Sequence, residues 1–208
     1  VAHNQIELAS IEKPAAAAAL CVVDNAELAA VLRDMGYTIV DYDGVELDIP
    51  LIATRYTTTL QEAVQQGAAL LLLAGPTADD LPGHAALPVG HVIARQGTGW
   101  QGDWATSFSW LRKEGPFAAL PGYPLLEMEY AEIMPDAVIA GVPARLFPDR
   151  VWAGLALGWI HKAVSLLHKA PYGDGEILVT TFKLNAATLR TNAVAQALFA
   201  GCITLLSE

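Results

Sequence analysis

"ALLLLA", residues 69–74, is the stretch whose reading decides the fold. Four leucines in a row leave no polar face. A short run of this kind suits a strand of a parallel sheet that is covered on both sides. It feeds a sharp turn, Gly75-Pro76-Thr77, which heads the continuation "GPTADDLP" (75–82). Upstream, Thr57-Thr58-Thr59 with Glu62 three residues after Thr59 predicts a capping box opening a short helix over 59–67, ended by Gly67. Earlier still, "AAAAALCVV" (15–23) predicts a buried strand with Asp24-Asn25 as a turn and cap. "NAELAAVLRDMG" (25–36) follows as a helix with Leu28, Val31, Leu32 and Met35 on one face, and "YTIVDY" (37–42) as the next strand. A strand, helix and strand in that order signal parallel pairing. The leucine run then falls on the third strand of an α/β, doubly wound, mostly parallel sheet flanked by helices.

Downstream the alternation stops. Residues 82–124 are rich in Gly and Pro and hold the aromatic patch "GTGWQGDWATSFSWLR" (97–112), and long irregular stretches of this kind tend to be functional or interface loops. "LLEMEYAEIMPDAVIAGV" (125–142) has strand character again. "AVSLLHKA" and "EILVTTFKL" flank the turn "PYGDG", which predicts an antiparallel hairpin near the C-terminus. "TLRTNAVAQALFAGCITLLS" (188–207) reads as one amphipathic closing helix. Residues 1–14 alternate around Ile6, Leu8 and Ile11 up to Pro14 and read as a lead-in segment, leaving 15–208 as one domain.

The 208 residues, 53% of them hydrophobic, can bury a sizeable core. A net charge of −10, with no Lys/Arg cluster, repels a phosphate backbone, so no nucleic acid partner is expected. The sequence contains no apolar run of membrane-spanning length and no signal-peptide pattern, which predicts a soluble chain without a membrane partner, in a bacterial cytoplasm rather than secreted. A start at Val1 instead of Met reads as a piece of a longer protein. Cys21 and Cys202 sit inside apolar runs as reduced core thiols. Their spacing offers no Cys/His metal site, and no cofactor is expected.

Three constellations offer candidate chemistry. Glutamine-amidotransferase-like folds of class I place a nucleophile on a strained turn after a central strand, within reach of a His base. At that place this chain has Gly75, Pro76 and Thr77. Pro76 has no N–H for an oxyanion hole and Thr77 lacks an activating amine, so the turn reads as a degenerate nucleophile position. Carboxylate pairs come second: Glu127 and Glu129 lie two apart in an expected strand, and Asp79-Asp80 follow the turn, but a solvated strand face accounts for them better. Third, Trp100, Gln101, Asp103, Trp104, Phe108 and Trp110 combine flat rings with amide and carboxylate groups, the chemistry of a sugar platform. The same rings also suit a contact with the sheet or with a neighbouring subunit. His161 and His168 read as satisfied strand histidines, and no catalytic residue is assigned.

"GWQGDWATSFSWLRKEGPFAALPGYPLLEMEY" and "RVWAGLALGWIHKAVSLLHKAPYGDGEILVTTFKLN" resemble the C-terminal region of bacterial glycoside hydrolase family 2 proteins, the β-galactosidase and β-glucuronidase group. The resemblance covers residues 95–206 well and the earlier part more loosely. It implies a glutamine-amidotransferase-like (flavodoxin-like) α/β domain, separate from the barrel that carries the catalytic glutamates, in a protein of carbohydrate metabolism. None of the barrel's acid or nucleophile motifs occurs in these 208 residues. The implied role is that of a non-catalytic accessory domain with the catalytic barrel of the same parent chain as partner, and a homo-oligomer or a carbohydrate as the others. Two alternatives stand beside it: a carbohydrate-binding module using the Trp100 to Trp110 loop, and an amidotransferase-like hydrolase with a recruited nucleophile.

Overall fold

The computed structural model describes residues 11, 18–42, 48–75, 86–101, 107–158 and 162–208. The lead-in segment apart from Ile11, and the expectations placed on Pro76, Thr77, Asp79, Asp80, Asp103, Trp104 and His161, lie outside the described residues.

The expected unit is present: β1 (Ala19–Val22), α1 (Ala26–Asp34) and β2 (Thr38–Val40), with β1 and β2 parallel. α1 starts where the sequence predicts, because the Asn25 side chain accepts a hydrogen bond from the Leu28 N–H at 3.0 Å. β3 (Leu51–Ala53) comes next, then α2 (Thr58–Gln65) and β4 (Ala69–Leu73). The leucine run is therefore the fourth strand, since β3 is too short to stand out in the sequence. The cap of α2 also differs from expectation. Thr57, not Thr59, is the N-cap and accepts from the Leu60 N–H at 3.3 Å, so Glu62 completes no capping box.

The next strands are β5 (His91–Ala94), β6 (Ser107–Leu111) and β7 (Ala137–Ala140). A one-turn helix, α3 (Phe147–Arg150), leads into β8 (Val151–Leu157), β9 (Lys162–Tyr172) and β10 (Gly175–Thr180), and α4 (Ala186–Thr191) and α5 (Ala193–Leu206) close the chain. All ten strands join one sheet. β2, β1, β3, β4 and β10 lie side by side in parallel. β10 then folds back on β9 across the two-residue turn Gly173-Asp174, with Gly173 at φ +66 as a tight hairpin requires. β9 also pairs with β7 and β8, in register through Ser165 with both Ile139 and Gly154, while β5 extends β7 and β6 extends β8, all antiparallel.

The strand run is apolar throughout because it has two covered faces. Leu71 and Leu73 join one core cluster with α1 and α5, and Leu70 and Leu72 join another with Tyr56, Leu60 and Val64 at α2. Two sequence expectations change. Residues 188–207 form two helices divided at Asn192, whose side chain accepts from the Ala195 N–H at 2.9 Å to start α5. α5 is buried around most of its circumference, with Val194, Ala195, Leu198, Phe199, Cys202 and Ile203 all inside, rather than amphipathic. Within 125–142 only β7 is a strand, and Met128–Ile133 is a 3₁₀ helix. Among the described residues no helix is long and apolar enough to cross a membrane.

Candidate functional site

Ala74 and Gly75, directly after β4, lie at the carboxyl ends of β3, β4 and β10, beside a cleft of about 270 Å³ lined by Thr54, Asp136, Lys183 and Asn185 among others. Asp136, Lys183, Asn185 and Thr181 each have a partner or a structural task there. Lys183 Nζ lies 2.8 Å from Asp136 Oδ2. The Asn185 side chain accepts from the Ala187 and Thr188 N–H groups and so caps α4. The Thr181 hydroxyl donates to the Leu166 carbonyl at 3.4 Å. Gly75 has open space around it. Cys202 is fully buried, and burial pushes its thiol well up, which holds it protonated and unreactive. Glu127 and Glu129, expected two apart on a strand face, instead start a 3₁₀ helix as exposed side chains. Glu127 is the extended residue before the helix and Glu129 lies within its first turn, so the two do not lie on a strand face.

The aromatic segment is divided between a loop and a strand. Arg95 gathers the loop by donating to the carbonyls of Trp100, Gln101 and Pro135 at 3.4, 3.3 and 3.1 Å. Burial pulls the Arg95 guanidinium down from its usual range, against the opposing pull of Asp136. Gln101 closes the turn by accepting from the Gly97 N–H at 3.1 Å. Trp100 is half-buried on the core, with Lys162 Nζ 5.8 Å from its ring centre. Trp110 belongs to β6 and lies flat against β8 at Gly154, where an added Cβ would come within 2.7 Å of its Cζ2. Only a glycine lets the indole lie that close.

Phe108 and Trp110 share one face of β6, and Leu125 is bridged to Trp110. Beside this face Arg112 stacks over Trp152, 4.5 Å from its ring centre. The large hydrophobics exposed among the described residues are Phe108 (49%), Tyr123 (66%), Leu125 (47%) and Met128 (84%). All four fall within residues 108–128: Phe108 on β6, Leu125 bridged to Trp110 of that strand, and Tyr123 and Met128 within three residues of Leu125 in the chain. Sequence reasoning named Phe108 and missed the other three. Tyr123 and Leu125, two apart before a Met, were a faint signal of them. A clip holds the neighbouring backbone in place: Lys113 Nζ donates to the carbonyls of Leu120 and Pro121 and lies 3.2 Å from the Tyr130 hydroxyl. That hydroxyl donates to the Pro121 carbonyl at 2.9 Å.

No family model matches the chain, and no curated protein matches its sequence. Solved structures do. A cytoplasmic protein from Salmonella typhimurium superposes with a TM-score of 0.51 at 10% identity, covering 91% of this chain and 98% of that one. A second cytoplasmic protein, from Salmonella typhimurium LT2, gives 0.50 at 8% identity, covering 86% of each chain. These two likenesses concern the fold alone. A β-galactosidase from Bacillus circulans sp. alkalophilus gives 0.44 at 14% identity, covering 87% of this chain and 26% of that one.

Proposed function

We infer that this chain is a non-catalytic accessory domain of a glycoside hydrolase, docking on the catalytic barrel or a sister subunit through the outer face of β6. The observation that carries the docking role is the exposure of Phe108, Tyr123, Leu125 and Met128, all within residues 108–128, with Phe108 on β6 and Leu125 bridged to it. Large apolar side chains left in water are a mark of contact surfaces when they gather in one region. The core of such a contact is typically rich in aromatics, Met and Arg, which matches the residues found here, Arg112 on Trp152 included. The glycoside hydrolase context comes from the sequence resemblance over residues 95–206. In this reading the parallel order β2-β1-β3-β4-β10 is a flavodoxin-like core. Gly75, Pro76 and Thr77 then mark the emptied nucleophile turn.

The docking claim is tested by Phe108→Glu with Leu125→Glu. In the isolated 208-residue chain the pair is expected to leave the melting temperature nearly unchanged, because both side chains are about half exposed. In the longer parent protein the same pair is expected to weaken assembly by about tenfold or more, read by sedimentation velocity. Unchanged assembly would contradict the reading. So would hydrolysis of nitrophenyl glycosides by the isolated chain that Glu127→Gln abolishes.

A further inference from the structure

In the parallel part of the sheet the chain moves outward from β1 through α1 to β2, then returns past β1 to β3 on its other side. Where successive connections leave in opposite directions, an open parallel sheet has a crevice outside its strand ends. Here that place holds a cavity of about 500 Å³, whose walls include Val23, Asp24, Asp41, Tyr42, Thr57 and Thr59. A second hollow of about 390 Å³ shares Asp24 and Asp41 and reaches Asn25 and Arg33. The two aspartates therefore stand at the centre of a depression that runs between the starts of α1 and α2. It is separate from the apolar face on β6, and neither site depends on the other.

We propose that this crevice binds a neutral polyhydroxylated ligand of monosaccharide size. Asp24 and Asp41 are exposed carboxylates, and neither has a hydrogen-bond or ion-pair partner among the described residues. They are acceptor-only groups, suited to sugar hydroxyls. The exposed Thr59 hydroxyl can donate as well as accept, while Thr57 spends its oxygen on the Leu60 N–H. Val23 and the half-buried Tyr42 ring supply the apolar wall that a sugar's C–H face needs. The volume falls in the ordinary range of small-molecule pockets.

Other ligand classes fit less well. The first turn of α2 would on its own favour an anion, but two carboxylates at the same mouth repel one. Two carboxylates are too few to cage a divalent cation, and no group of three or more candidate ligands for a metal occurs among the described residues.

The test is a titration of the 208-residue chain, followed by amide NMR, with D-galactose, D-glucose and D-xylose and in parallel with sodium sulfate and calcium chloride. At least one sugar is expected to give saturable shifts at Val23, Asp24, Tyr42 and Thr59, with a dissociation constant of roughly millimolar order. Asp24→Asn with Asp41→Ala is expected to weaken that binding by about tenfold or more. Asn is chosen at position 24 because the backbone there stands at φ +52, a conformation Asn tolerates. The proposal is overturned if no sugar shifts these amides up to about 100 mM. It is equally overturned if sugar binding survives the double variant, or if sulfate or calcium saturates the site where sugars do not.

Discussion

Gly175→Val is expected to lower the unfolding free energy by about 3 kcal/mol or more. Gly175 opens β10 directly after the hairpin turn, and that turn rests on the end of α2. A Cβ at this position would sit 2.3 Å from the Ala68 carbonyl oxygen, 2.4 Å from that of Val64 and 2.9 Å from the Gly67 carbonyl carbon. All three are backbone atoms at the end of α2 and in the connection into β4, so no side-chain rotation relieves the clash. The same connection is tied to the hairpin by Asp174 N–H to Gln65 O at 3.1 Å and Glu176 N–H to Ala68 O at 3.2 Å. Making room means lifting the hairpin, and that breaks the start of the β4–β10 pairing at Ala69 and Glu176. Urea unfolding of Gly175→Val beside Gly75→Ala checks this, since Gly75 has nothing within 4 Å of its added Cβ. The Gly75 variant should stay within about 0.5 kcal/mol of the parent. Equal stability of the two variants would show that the hairpin is not seated as described.

Acid should destabilise the fold through His168. This side chain is 2% exposed on β9, and its Nδ1 has no hydrogen-bond partner among the described residues. Burial, helped by the Arg150 charge, lowers its pKa from 6.5 to about 4. The folded state therefore holds the imidazole neutral while the unfolded chain protonates it at higher pH. The sign follows: the contribution is fully present above pH 6.5, and it is lost as pH falls through about 4. A displacement of that size corresponds to about 3 kcal/mol between neutral pH and pH 4. His168→Leu removes the titrating group at similar volume. The difference in unfolding free energy between parent and variant should therefore shrink or reverse toward pH 4. Parallel pH dependences would contradict the assignment.

Much of the parallel half was legible in the sequence because its signals are local. The Asn25 cap, the α1 face of Leu28, Val31, Leu32 and Met35, and the four leucines of β4 depend on neighbours a few residues away. Where the reading departed from the structure, local signals were ambiguous. Three consecutive threonines each offer a cap for α2, and only Thr57 is placed to use it. The alternation in "EMEYAEI" imitates a strand, yet Tyr130 and Ile133, three apart, are the residues that the 3₁₀ helix buries. α5 has no polar face to betray it, since helices and loops of the same core cover most of it.

The candidate surfaces divide in the same way. Composition exposes an aromatic patch, but whether a ring faces solvent depends on long-range pairing. Trp110 is packed because Gly154 lies opposite it on β8, while Leu125 is exposed because nothing in the described chain covers the outer side of β6. In the sequence Asp24 reads as a turn residue and Asp41 as part of the strand over 37–42. The parallel pairing of β1 with β2 brings them together, and the return of the chain to β3 adds Thr57 and Thr59 as the other wall of the crevice.

The docking role is tested most directly at Met128, which is 84% exposed in this chain. Peroxide oxidation of Met128, followed by mass spectrometry, would be timed in the isolated 208-residue chain and in the longer parent protein proposed for it. The proposed contact predicts rapid sulfoxide formation in the isolated chain and slowing of about tenfold or more in the assembled protein, where the β6 face is covered. Equal oxidation rates in the two would mean that this face stays in solvent and that the chain does not dock through it.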